Sequence, residues 1–144
     1  MAVGATRLYF ENAVGRLSGH PDGYALIQFH PGPRTLSALQ TLLTQVRRVL
    51  ELHRWHRFLN DQRLLAHPYN PEEAAWIVEH WHNTAAEHPE GLYGAVVMSH
   101  NVFTRIVMGQ IVQEANTAAT MHFRRFEAEA EAEAEATAWL QQVG

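Results

Sequence analysis

Tyr93-Gly94-Ala95-Val96-Val97-Met98-Ser99 is a short, almost unbroken apolar run, with Pro89 and Gly91 before it and Asn101 after it. A strand covered on one face alternates apolar and polar side chains. A run without alternation describes a strand covered on both, the place of a central strand in a sheet flanked by helices. The neighbouring segments agree. Upstream, Asn70-Pro71-Glu72-Glu73 sets a capping side chain, a proline at the first helical position and two acids in the first turn. Ala74, Ile77, Val78, Trp81 and Ala85 then form an inward stripe, and Pro89 with Gly91 ends the helix. Downstream, Asn101 caps a third helix to about Asn116, and residues 120–126 alternate as a more exposed strand.

Further out the alternation continues. Arg57-Phe58-Leu59-Asn60-Asp61 is a short strand, and before it Thr35 caps a helix whose Leu36, Leu39, Leu43, Val46 and Leu50 share one face, running to about His53. Residues 7–16 and 24–30 are predicted as two strands of a hairpin around His20-Pro21-Asp22-Gly23, stopped by Pro31-Gly32-Pro33. The Glu-Ala alternation of residues 127–136 has the period of a strand. Both residues favour helices, so a helix is expected, at a cost of a few tenths of a kcal/mol for each like-charge pair among Glu127, Glu131 and Glu135. The expected order is β-β-α-β-α-β-α-β-α in one domain over residues 1–144: an α/β fold with a mixed, mostly parallel sheet and flanking helices.

Composition narrows the chemistry. Hydrophobic residues make up 47% of the 144, including four Trp and six Phe, enough for one packed core that buries roughly two-thirds of the unfolded surface. Cysteine is absent, which excludes disulfides, thiolate nucleophiles and cysteine-based zinc or iron–sulfur sites. All 11 basic residues are Arg, so Schiff-base chemistry, pyridoxal phosphate anchoring and a phosphate-loop lysine are excluded as well. The net charge is -4, and arginines 47, 48, 54, 57 and 63 are the one basic cluster, too thin to neutralise the phosphates of a nucleic acid. No segment approaches the ~20 apolar residues of a membrane span, and no basic start precedes a long apolar run, so a cytoplasmic protein without a membrane partner is expected.

With Asn60-Asp61 closing one strand and Asn70-Pro71-Glu72-Glu73-Ala74-Ala75-Trp76-Ile77-Val78-Glu79 opening the next helix, this order resembles the STAS-like domains, the fold of anti-sigma-factor antagonists. The nearest likeness is to small stand-alone bacterial STAS-like proteins, and it spans almost the whole chain as a pattern of elements. The resemblance implies a non-enzymatic role in signalling or protein interaction. Regulatory members of that family carry a phosphorylatable Ser or Thr at this strand-to-helix corner, within an Asp-Ser-Ser-Gly-like turn. Residues 60–83 contain neither, so a switch that adds about two negative charges has no acceptor here. Asp61 could supply a fixed negative charge instead; the plainer expectation is a loop carboxylate accepting backbone N–H bonds.

Ten histidines raise the question of a metal. Two helical ligands need a spacing of three or four, whereas His80 and His82 diverge by about 200° and His53 with His56 straddles a helix end, so surface histidines and no metal or cofactor are expected. Ser99, His100 and Asp61 would fall near the carboxyl ends of strands and invite a hydrolytic triad. Adjacent Ser and His seldom align, though, and no Gly-x-Ser-x-Gly elbow exists. Gly91-Leu92-Tyr93-Gly94 precedes a strand and is no dinucleotide loop.

The third helix is the anomaly. Val102, Phe103, Ile106, Val107, Met108, Ile111, Val112 and Ala115 surround its whole circumference, more apolar surface than one sheet contact buries. Either neighbouring helices cover the remainder or it is an interaction face. The functional expectation is a non-catalytic protein-interaction module, a homodimer, using Ile106, Met108 and Val112 together with the Asp61 corner, with Trp76 and His80 on the second helix as further candidates. A carrier or sensor of a small apolar ligand, with a cavity lined by Phe103, Trp81 or Met98, is the alternative, and a Ser99 hydrolase the third.

Overall fold

Six strands form one sheet whose spatial order follows the chain, β1 (Arg7–Glu11), β2 (Gly15–His20), β3 (Tyr24–Phe29), β4 (Arg57–Asp61), β5 (Leu92–Val97) and β6 (Met121–Phe126). The first three pair antiparallel, and β3 to β6 pair parallel. Helices α1 (Leu36–His53), α2 (Pro71–Ala86) and α3 (Val102–Ala115) connect the parallel strands, and α4 (Ala132–Gln142) follows β6. The computed structural model describes residues 5–143. Within them no helix is long and apolar enough to cross a membrane.

The sequential order decides where the helices lie. Each parallel crossover advances one strand in the same direction, so crossovers of one hand place α1, α2 and α3 on one face of the sheet. Their buried residues join those of the strands in one large cluster that includes Leu39, Val46, Phe58, Trp81, Val96, Met108, Ile111 and Phe123. On the opposite face α4 covers a smaller cluster of Tyr24, Leu59, Ala95, Val97 and Phe126 with Ala132, Ala136 and Leu140. β5 contributes to both, as its unbroken apolar run requires.

At the centre of the large face Phe58 and Trp81 stack at 4.5 Å, and Phe123 meets both edge-on at 5.5 Å. Each such pair adds about 0.5–1.5 kcal/mol beyond its buried area. Gly94 makes the stack fit, because a Cβ there would stand 2.4 Å from the Phe58 ring.

Helix starts follow their capping residues. The Thr35 hydroxyl accepts from the Ala38 N–H, and Asn70 and Glu73 exchange side-chain and backbone bonds in a capping box. The same Glu73 carboxylate takes two bonds from Arg34, at 2.8 and 3.0 Å, with both side chains almost wholly out of solvent. Arg34 spends its remaining donors on the His67 and Pro68 carbonyls and lies over the Tyr69 ring at 4.4 Å. A buried charge needs this saturation.

Two boundaries differ from expectation. Residues 7–16 are not one strand. Asn12 breaks them, its side-chain oxygen accepting from the Val14 and Gly15 N–H groups while its amide donates to the Ala38 carbonyl. The hairpin at Pro21-Asp22-Gly23 therefore joins β2 to β3, with Gly23 at φ 86°, and β1 is an additional edge strand. The Glu-Ala segment becomes helical only from Ala132. Glu131 lies at its N-cap position without a side-chain bond, and the like charges at 127, 131 and 135 oppose any extension backwards.

Candidate functional site

The carboxyl ends of β4 and β5 and the start of α3 meet at one corner. Asp61, the last residue of β4, accepts from the Arg63 N–H at 3.1 Å and from its guanidinium at 3.0 and 2.7 Å. Arg63 also reaches Glu133 on α4 at 3.3 Å. The hydrogen bonds that Arg63 donates to Asp61 hold its pKa above the ordinary value. Asp61 is thus the loop carboxylate that accepts a backbone bond, and its charge is already answered; it is not the free negative point of a docking surface.

The adjoining loop is built just as firmly. The buried Ser99 hydroxyl donates to the Leu65 carbonyl at 2.6 Å and accepts from the Asn101 N–H at 3.0 Å. Asn101 then caps α3 by accepting from the Thr104 N–H, and Arg105 folds back to donate to the Ser99 and His100 carbonyls. Ser99, exposed His100 and Asp61 are neighbours along this corner, but the Ser99 hydroxyl is spent on backbone groups and the Asp61 carboxylate on Arg63, and no side-chain hydrogen bond links the three.

From that braced start α3 divides. Its inner and carboxyl-terminal residues, Met108 at 1% exposure and Val112, Ile111 and Ala115 beside it, pack into the large core. Met108 and Val112 therefore belong to the interior and not to an interaction face, on a helix that packs against α2 and β6. Val102, Phe103 and Ile106 remain outside, Phe103 at 67% and Ile106 at 55% exposure. Leu64, also well exposed, lies in the loop that the His100 N–H to Arg63 carbonyl bond draws against this end of α3. Arg63 and Arg105 adjoin these side chains, their guanidiniums turned to Asp61 and to the Ser99 and His100 carbonyls.

Trp76 and His80 lie elsewhere. His82 turns toward α3, where its Nε2 meets the Glu114 carbonyl, and His80, two residues before it, points the other way. Trp76 is half-buried and stacks on His80 at 5.0 Å. Both line a cleft of about 340 Å³ toward α1 together with Thr44, Arg47, Glu79 and Asn83. His80 itself is 6% exposed, which corrects its placement on an outer surface, and burial lowers its pKa to about 4.

The other expectations divide in the same way. Trp81 and Met98 are fully buried in the core, while Phe103 is outside, so the three line no common cavity. Of the basic cluster, Arg47 pairs with Glu87 at 2.7 Å, Arg57 donates to the Leu140 and Asp22 carbonyls, and Arg63 serves Asp61. Among the described residues no group of three or more His, Asp or Glu comes together as a metal site. One histidine contact was invisible to local spacing: His56 meets His88, 32 positions away, across the sheet end. Compared with protein-family models, curated proteins and solved structures, the chain matches none.

Proposed function

We propose that the protein is a non-catalytic interaction module of STAS-like type that self-associates through the start of α3. The observation that carries this reading is the cluster of Val102, Phe103, Ile106 and Leu64, large apolar side chains held in solvent on a backbone fixed by the Ser99, Asn101 and Arg105 bonds. A braced apolar patch suits an identical patch on a second copy, since a two-fold contact sets like residues against like. The mixed sheet with a hairpin before its β-α units supports the STAS-like reading. Residues 60–83 contain no Ser or Thr, so the Ser/Thr phosphate switch of regulatory STAS-like members has no acceptor of that kind here.

Sedimentation of the full chain tests the proposal. A dimer is expected, with Phe103→Glu and Ile106→Glu each shifting it to monomer while leaving stability within about 0.5 kcal/mol, as exposed positions allow. Wild type that sediments as a monomer at high concentration overturns the reading. Met108→Glu is no test, because it would place a charge in the core.

A further inference from the structure

His56 stands next to the start of β4, and His88 follows the end of α2. Their Nδ1 atoms are 3.0 Å apart with the rings nearly perpendicular, at 87°. A hydrogen bond between two imidazole nitrogens needs one donor and one acceptor. It can exist in the neutral or singly protonated pair; in the doubly protonated pair both nitrogens carry hydrogen and the rings repel. We propose that this contact is an acid-released clasp, fastening the connection of residues 87–91 to the start of β4 and letting go when the pair takes its second proton.

The placement gives the release something to act on. The His88 N–H donates to the Ala85 carbonyl, and the His88 carbonyl accepts from the Gly91 N–H, closing a turn with Gly91 at φ 114°. Across the contact, the His56 carbonyl accepts from the Tyr93 N–H at 2.8 Å, the bond that sets β5 against β4. The pair thus joins both sides of the hinge through which α2 feeds the central strand. His88 is buried and His56 is exposed, so protons reach the contact from one side.

The surrounding charges leave the second proton without support. Glu51 and Arg54 from the end of α1 and Glu87 from the end of α2 line a cavity of about 330 Å³ with the two histidines. Glu87 is held by Arg47. On β4, Arg57 turns away to the Leu140 and Asp22 carbonyls; on β5, Tyr93 stacks on His122; and His80 of α2 lies under Trp76. Two carboxylates thus face two guanidiniums. Burial first, and then the charge of His56, lowers the His88 pKa against the weaker opposing pull of Glu87. A histidine base weakened by folding contributes stability that is full above the ordinary histidine range and is lost as pH falls through it. The connection of residues 87–91 should open before the core.

Histidine NMR titration and amide exchange on the full chain test the clasp. His56 and His88 should titrate as a coupled pair in two steps. Exchange at Gly91 and Tyr93, corrected for its intrinsic pH dependence, should rise severalfold between about pH 7.5 and 5 as the clasp opens. His56→Gln, at an exposed position, should reduce the pair to a single His88 step and remove the rise. Independent ordinary titrations of the two rings overturn the clasp. An acid-induced rise that survives in His56→Gln does so too, because it assigns the release to another group such as His80.

Discussion

The two faces of the sheet are closed by different means. Three helices crowd one, filling it with large side chains around the Phe58, Trp81 and Phe123 rings. The other has α4 alone, whose buried residues are Ala132, Ala136 and Leu140. What α4 lacks in apolar volume is offset by directional contacts. Arg57 donates to the Leu140 carbonyl at the carboxyl end of the helix, where a cation also suits the helix dipole, and Glu133 meets Arg63 near its start. Packing therefore dominates one face, and a few arginine bonds position the single helix on the other.

Three measurements would break or sharpen this contrast. Trp81→Ala removes the ring that stacks on Phe58 and should cost about 4 kcal/mol in urea unfolding, because the sheet beneath it and the helices beside it limit collapse into the space. A cost under 2 kcal/mol would show that the large face repacks freely. Leu140→Ala should cost about 2–3 kcal/mol, at the low end for a buried leucine, since one amphipathic helix can settle toward the sheet. Equal costs at both sites would erase the distinction. Finally, the large face should be the acid-sensitive one. The unfolded His80 takes a proton near pH 6.5 and the folded one only near 4, so stability is full above the first value and declines as pH falls toward the second. The loss should be on the order of 3 kcal/mol and should be missing from the same pH series on His80→Leu.

Legibility in the sequence followed the same division. Elements with apolar periodicity and a chemical cap were readable: β4 as Arg57–Asp61, α1 from Thr35, α2 from the Asn70 box, and β5 from its unbroken run. The break at Asn12 was missed, although an Asn followed three positions later by Gly15 is the trace of a side chain bonding its own backbone. The start of α4 was misplaced because Glu and Ala favour helices anywhere, and nothing in residues 127–131 marks where one begins. At the site, Ile106 could be placed on an apolar helix, but the separation of exposed Ile106 from buried Met108 depends on where α2 and β6 lie. The His56–His88 contact had no local signal at all, since 32 residues and a helix separate its members.

Strand neighbours in this sheet are also neighbours in the chain, and that has a bearing on how the protein is made. A ribosome releases β1 through β6 in the order in which each can join a partner already in place, so no strand must wait for one still unsynthesised. Helices α1 to α3 emerge between them and shelter their side as it forms. Only α4 comes after every strand, and until it docks Tyr24, Leu59, Ala95, Val97 and Phe126 remain uncovered. The growing chain is most open to chaperones, or to sticking to its neighbours, in that interval.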